Sequence, residues 1–250
     1  MIKYKQEKFY PFKEEFPVKI FAISDLHMSI ANPKPMNIFG GSWDDYLEKI
    51  KADWQEKVSD EDVVIIAGDI SWAMSADDAI KDFEYFKDLK GKKLFIRGNH
   101  DYWWKGITNL RERVPENCFL LQNDAMKIEN VVFCGSRCWA CPGSPDFKAQ
   151  DEKIFARETE RLRLAFHKAE SLREDGDKLL VITHFPPFNV RREYNQIIEL
   201  IESNRANAVV YGHLHGKDAR ADKLLIRNGI KYYLSSCDLV QNKLVEINFD

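Results

Sequence analysis

Long hydrophobic runs are absent from this sequence. No stretch approaches the ~20 apolar residues needed to cross a bilayer, and the apolar run at residues 18–23, which follows a charged and aromatic first 17 residues, is too short for the core of a secretory signal. No membrane association is expected. Cysteine is scarce: five residues, an odd number with scattered spacing, which excludes a small disulfide framework and fits a reducing cytoplasm. Net charge is also low, at −3 over 250 residues. That excludes a global attraction to nucleic acid or to an anionic surface, so no nucleic-acid partner is expected and any charge that binds phosphate must be local. There is no internal repeat and no low-complexity linker.

What is present is an ordinary globular composition, 44% hydrophobic and 31% charged, enough to bury a sizeable core. Apolar, β-branched-rich runs at residues 18–23, 63–67, 93–96, 179–183 and 208–211 predict buried strands. Between them, residues 45–58, 76–89, 151–173 and 194–203 carry apolar residues at three- and four-residue spacing and predict helices. Strand and helix in alternation imply a mainly parallel sheet. A second group of strand-like runs, at 119–122, 126–134, 224–235 and 243–249, has few helical segments among it and predicts a second sheet. Glu129-Asn130 and Asn228-Gly229 are its hairpin turns. The expectation is an α/β chain with one domain over residues 1–250.

Histidine is the informative residue. Of six in the chain, five lie in short motifs just beyond the five leading strands: Asp25-Leu26-His27, Gly68-Asp69, Gly98-Asn99-His100-Asp101, Thr183-His184 and Gly212-His213-Leu214-His215. In an open α/β sheet, ligands sit outside the carboxyl ends of the strands, so these motifs should converge. Each alone has a plainer reading, as a turn, a helix cap or a structural histidine; five in order behind five strands do not. Carboxylate, imidazole and amide donors without thiolate suit Mn, Fe or Zn. So many donors suit two divalent or trivalent transition-metal ions ~3.5–4 Å apart better than one, with Asp69 as the natural bridge.

In this order the motifs resemble those of the calcineurin-like metallophosphoesterase superfamily, and the likeness spans Asp25 to His215. The resemblance implies a two-sheet β-sandwich flanked by helices, a four-layer α/β/β/α fold. It implies that Asp25, His27 and His215 hold one metal, that Asn99, His184 and His213 hold a second, and that Asp69 bridges them. His100 is then left unligated as general acid toward the leaving group, with Asp101 supporting the site. The implied reaction is hydrolysis of a phosphate mono- or diester by in-line attack of a bridging hydroxide, at a site carrying a net charge of about +1 before substrate binds. The segment Lys34-Pro35-Met36-Asn37-Ile38-Phe39-Gly40, with Trp43, is similar to that of a bacterial branch of small, single-domain members.

Other features discriminate less. Cys138-Trp139-Ala140-Cys141 has redox or zinc spacing but no second cysteine pair, and reads as two reduced structural cysteines. Trp72, Tyr102, Trp103, Trp104 and Trp139 either wall a substrate cleft or pack over the sheet edge. Arg97 and Arg191-Arg192 either contact phosphate or are a strand-end arginine and a solvated helix start. The mixed charges of residues 152–174 read as a solvated helix face. Asp69 is followed by Ile70-Ser71-Trp72 rather than by the Arg-Gly of the protein phosphatase branch, which leaves a small phosphorylated metabolite or nucleotide as the expected substrate. The contrasting reading is a non-catalytic metal-binding scaffold with the same fold.

Overall fold

The short apolar runs form strands covered on both faces, and alternate residues of each strand enter different cores. In Val63-Val64-Ile65-Ile66, Val64 and Ile66 join one apolar cluster while Val63 and Ile65 join another, as the two-residue repeat of a strand requires. The structure, a computed structural model, describes residues 18–249 except 146, 217, 218 and 220. The charged and aromatic first 17 residues lie outside the described residues.

The chain runs β1 (Ile20–Ile23), α1 (Tyr46–Lys57), β2 (Val63–Ile66), α2 (Ala76–Lys87), β3 (Lys92–Ile96), α3 (Ile107–Arg111) and β4 (Cys118–Leu121). A hairpin of β5 (Asp124–Ile128) and β6 (Val131–Ser136) follows, then α4 (Asp151–Glu170), β7 (Lys178–Thr183), α5 (Gln196–Ser203) and β8 (Ala208–Tyr211). A second hairpin, β9 (Leu224–Arg227) and β10 (Ile230–Leu234), leads to β11 (Val245–Glu246). Among the described residues these make a five-stranded sheet in the order β11-β1-β2-β3-β4 and a six-stranded sheet in the order β5-β6-β7-β8-β10-β9. Strands β1 to β4 are mutually parallel, as are β6, β7, β8 and β10, while β11, β5 and β9 are antiparallel edges.

Three cores follow from this order. Phe133, Leu180, Ile182 and Val210 of the second sheet meet Ile20, Ile65, Leu94 and Ile96 of the first in the middle of the sandwich. Outside the first sheet, Trp54, Phe83 and Phe86 of α1 and α2 pack on Phe21, Val64 and Phe95. Outside the second, Phe155, Leu162 and Phe166 of α4 pack with Ile197 and Ile201 of α5 on Val132, Val181 and Val209. The expected α/β/β/α layering is therefore present.

The division of strands between the sheets differs from the expectation. The leading strands do not share one sheet: β7 and β8 lie in the second, while β4 and β11 complete the first. A strand buried on both faces reads the same in either sheet, so only the pairing partners reveal the division. Both hairpin turns are as expected, with Glu129, Asn228 and Gly229 in the left-handed region. Helix α3 was not expected, because five residues carry too little of a 3.6-residue repeat to be seen.

Phe133 is fully buried between the sheets. Phe133→Ala is expected to lower unfolding free energy by about 3–5 kcal/mol, whereas Leu164→Ala, on the exposed face of α4, should stay within about 0.5 kcal/mol. Urea unfolding of both variants checks this; equal effects would contradict the assignment of the middle core.

Candidate functional site

Beyond the carboxyl ends of the strands the chain keeps its backbone pairing for a few more residues. Asp25 N donates to Gly68 O (2.9 Å) and His27 N to Asp69 O (3.0 Å), so the segments leaving β1 and β2 run side by side. Gly212 N donates to His184 O (3.0 Å), which does the same for β7 and β8, and Ser24 N donates to Ser235 O (2.8 Å), which ties the two sheets together. Motifs from both sheets thus meet at one edge of the sandwich. Four of their residues are held in the left-handed region, Asp25 (φ 60°), His27 (45°), Asp69 (51°) and His213 (72°). Such positions cost about 1–3 kcal/mol each without glycine and cluster where function constrains the backbone.

Two motif glycines are required by close approach. A Cβ on Gly98 would overlap the Asp69 side chain, and one on Gly212 would sit 2.5 Å from Asp25 Oδ2. The carboxylates of Asp25 and Asp69 can therefore lie against the neighbouring loops only where no side chain intervenes.

Asp25, His27 and His215 form one group whose ligand-capable atoms all lie within 4.8 Å of one another, and Asp25, Asp69 and His184 form another. His215 Nε2 is 3.2 Å from Asp25 Oδ1 and 3.5 Å from His27 Nε2. Asp69 Oδ2 is 3.5 Å from His184 Nε2 and 3.9 Å from His27 Nε2. Asn99 Oδ1 lies 2.7 Å from His184 Nε2 and 3.0 Å from His213 Nδ1. The structure therefore brings together all seven residues expected as donors. Carboxylate, imidazole and amide atoms at this spacing fit hard or borderline metal ions.

His100 stands beside both groups, with Nε2 3.9 Å from Asp69 Oδ2 and its side chain about one-third exposed at 35%. Asp101 lies beneath. Its Oδ1 accepts from the amides of Ile70 (2.9 Å) and Ser71 (3.2 Å) and from Trp103 Nε1 (3.1 Å), and its Oδ2 from Gly98 N (2.7 Å). It thus locks the Gly68-Asp69 and Gly98-Asn99 loops together, and its hydrogen bonds go to these groups rather than to the His100 ring.

The electrostatics favour cations. Burial raises the Asp25 carboxyl, but the hydrogen bond from His215 and the charges of His215, His184 and His27 outweigh it and hold Asp25 well below the usual carboxylate range. At Asp69 the same opposition, with His184 as partner, leaves a value of about 2. Burial lowers His184, yet the Asp69 charge and hydrogen bond carry it up to about 9. Burial likewise lowers His215, which hydrogen bonds to Asp238 and Asp25 carry up to about 10. Burial dominates for His27, lowered to about 4, and for His213, lowered to about 3. Burial and the Asp69 charge push Asp101 up to about 6.

The structure adds residues that the motifs did not indicate. Asp238 accepts from His215 Nδ1 (3.0 Å) and Gly216 N (2.9 Å), which turns Nε2 of the ring inward, the usual way a carboxylate orients a metal-binding histidine. It lies in an ordinary Cys-Asp-Leu sequence, so no local signal marks it. The main-chain oxygen of Ala67, 3.0 Å from His184 Nδ1, does the same for that ring.

The aromatic residues divide. Trp103 and Trp104 are core residues. Trp72 stacks on His27 (4.7 Å, 19°) and also packs against His100 (4.7 Å), while Tyr102 sits exposed beside His100. Trp139 packs on Phe185, whose ring lies 3.9 Å from that of His213. The 3-10 turns Met36–Phe39 and Gly41–Trp43 bury Met36 and Trp43 near this cluster, Trp43 lying 6.1 Å from His27 and 5.8 Å from His215 between ring centroids. Asp82 of α2 anchors the preceding loop by accepting from Ile30 N and Ala31 N, both at 3.0 Å. Cys138 and Cys141 are buried free thiols. Arg191 pairs with Glu193, and Arg192 with Asp222, at the surface.

A family model described as calcineurin-like phosphoesterase matches residues 18–217. An uncharacterized protein of Methanocaldococcus jannaschii is 36% identical over 84 residues, which are 33% of this chain and 47% of that protein, so the match spans less than half of this curated relative. A protein of Thermus thermophilus has a similar structure (TM-score 0.55, 13% identity, 93% of this chain and 99% of that one). So does a protein of unknown function from Aquifex aeolicus (TM-score 0.50, 16% identity, 92% and 95%). At these identities the two structures bear on the fold alone.

Asp238→Ala frees the His215 ring and is expected to weaken Mn or Zn binding about 10–100-fold. Competition against a chromogenic chelator measures it, and unchanged affinity would remove Asp238 from the site.

Proposed function

Because the chain belongs to the calcineurin-like phosphoesterase family, we propose that it is a metal-dependent phosphoric ester hydrolase with two metal ions in one site, acting on a small phosphorylated metabolite or nucleotide. The observation that carries this reading is the meeting of five donor side chains in two groups that share Asp25, with Asn99 Oδ1 set between the rings of His184 and His213 beside them. Asp25, His27 and His215 would hold one ion of Mn, Fe or Zn, and Asn99, His184 and His213 would hold the other. Asp69 would serve both, a role that its Oδ2, 3.9 Å from His27 Nε2 and 3.5 Å from His184 Nε2, supports. When bound, the ions supply Lewis acidity and a nucleophile at neutral pH.

The protein's own groups supply the rest. Asp25 and Asp69 stay ionised near neutrality, so they hold cations whose excess charge attracts a phosphate. His100 stands beside the donor groups without belonging to either and is partly open to solvent, which leaves its ring free to give a proton to the departing alkoxide. Trp72, packed on both His27 and His100, fixes the distance between the proton donor and the first donor group. Asp101 holds the two loops that carry Asp69 and Asn99.

Three measurements test this reading. Purified protein with added Mn is expected to hydrolyse an aryl phosphate mono- or diester and to stop on chelation; metal-loaded protein inert to a broad phosphoester panel would favour the scaffold alternative. His100→Asn should cost ~10²–10⁴ in turnover of alkyl phosphates and much less with an activated aryl ester. An equal loss on both, at unchanged metal content, would sink the acid role. The third concerns protons. In metal-free protein His184 and His215, raised to about 9 and about 10, are protonated at pH 7, so metal binding must expel protons and strengthen as pH rises toward 9. Calorimetry in buffers of different ionisation enthalpy reads this directly, and metal affinity that falls between pH 7 and 9 would contradict it.

A further inference from the structure

A polar cavity of about 90 Å³ opens where Arg97 leaves β3 and Ser136 ends β6, with α4 closing its side. It neighbours the donor cluster in the chain. Arg97 is two residues before Asn99, and Ser136 pairs in register with Thr183, the residue before His184. Three guanidinium groups line it, Arg97, Arg137 and Arg161, against a single carboxylate, Glu158. Arg137 Nη2 (2.9 Å) and Arg161 Nη1 (2.8 Å) both bond to Glu158 Oε1, which is almost completely buried. Arg157 reaches the same oxygen at 3.5 Å. One carboxylate thus serves several arginines. Among the described residues Arg97 forms no ion pair, and its buried Nε has no hydrogen-bond partner.

Of the remaining polar side chains of the cavity, the amides of Gln122 and Asn123 are also left with donors, while Ser136 Oγ gives its proton to Asn123. Gln122 Oε1 accepts from Trp104 Nε1 (2.7 Å) and Asn123 Oδ1 from Ser136 Oγ (3.2 Å). With both amide oxygens engaged, the two amide nitrogens are what Gln122 and Asn123 can offer. A cavity with a surplus of cations and unused N–H groups suits a ligand made of acceptors, and guanidinium forks match phosphate oxygens in particular. Room for a water takes roughly 10–15 Å³ on the same measure, so the volume accommodates a tetrahedral oxyanion.

We propose that this cavity is an oxyanion site for a phosphate group other than the one that reacts at the aspartate and histidine cluster. Such a group is either a second phosphate of the substrate or free inorganic phosphate. Only the first source rests on the phosphoesterase reading.

The test measures inorganic phosphate binding by calorimetry in the full chain carrying Asp69→Asn, which weakens the metal cluster, and in the same chain with Arg97→Gln or Arg161→Gln added. Chelator-treated wild-type protein serves as a second background should Asp69→Asn fail to fold, and Arg161, 41% exposed on α4, is the variant least exposed to folding defects. Phosphate binding that persists in these backgrounds and weakens tenfold or more with either arginine variant supports the site. Binding that vanishes with the metal cluster, or is indifferent to both arginines, overturns it and leaves the phosphoesterase reading standing. The source follows from kcat/KM. A preference for a nucleoside 3′,5′-bisphosphate over p-nitrophenyl phosphate that drops about tenfold in Arg97→Gln identifies a second substrate phosphate. An unchanged preference, with phosphate binding still lost, identifies free phosphate.

Discussion

Everything at the open edge of the sandwich depends on keeping two buried carboxylates, Asp25 and Asp69, ionised close to one another. Burial opposes their charge and each opposes the other. An isolated charge moved from water into a protein interior is strongly disfavoured unless it is paired and hydrogen-bonded. Here the pairing comes from histidines on three different strand ends, and the amides of His213 (3.0 Å to Asp25 Oδ2) and His100 (2.8 Å to Asp69 Oδ1) complete it. The result is a pair of buried carboxylates with imidazole nitrogens around them, a donor set that fits hard or borderline metal ions.

The layers beneath serve that seat by bringing distant segments into contact at small tolerance. The left-handed backbone at Asp25, His27, Asp69 and His213 is held by pairing that continues past the sheet edge and by the Asp101 carboxylate, which spans the two loops from below. Gly98 and Gly212 permit the approach. Elsewhere, a patch of arginines around Glu158 provides positive charge that the net charge of the whole chain conceals. Local fields of this kind, rather than the protein's overall charge, govern how an anionic ligand enters.

Much of this was legible in the linear sequence. Short motifs of Asp, Asn and His directly behind β-branched runs located the site, because parallel strands deliver their carboxyl ends to one edge, and the apolar periodicity located the principal helices. What was not legible had physical reasons. Strands buried on both faces carry no mark of which sheet they join, so β7 and β8 could not be assigned to the second sheet, nor β4 and β11 to the first. Helix α3 is too short to display a repeat. The aromatic residues near the motifs could not be sorted, since Trp103 in the core and Trp72 against His27 are equally apolar in sequence.

The sequence by itself determined which Asp, Asn and His side chains stand just behind strands, since the motifs and the apolar runs before them are both local patterns. Only the tertiary structure decided how those strands divide between two sheets, that Asp101 clamps loops, that Asp238 steers His215, and that Arg137 joins Arg157 and Arg161 around one glutamate. The reason is the same in each case. These are contacts between residues remote in the chain, made by side chains whose partners are chosen by packing, and no local pattern records a partner.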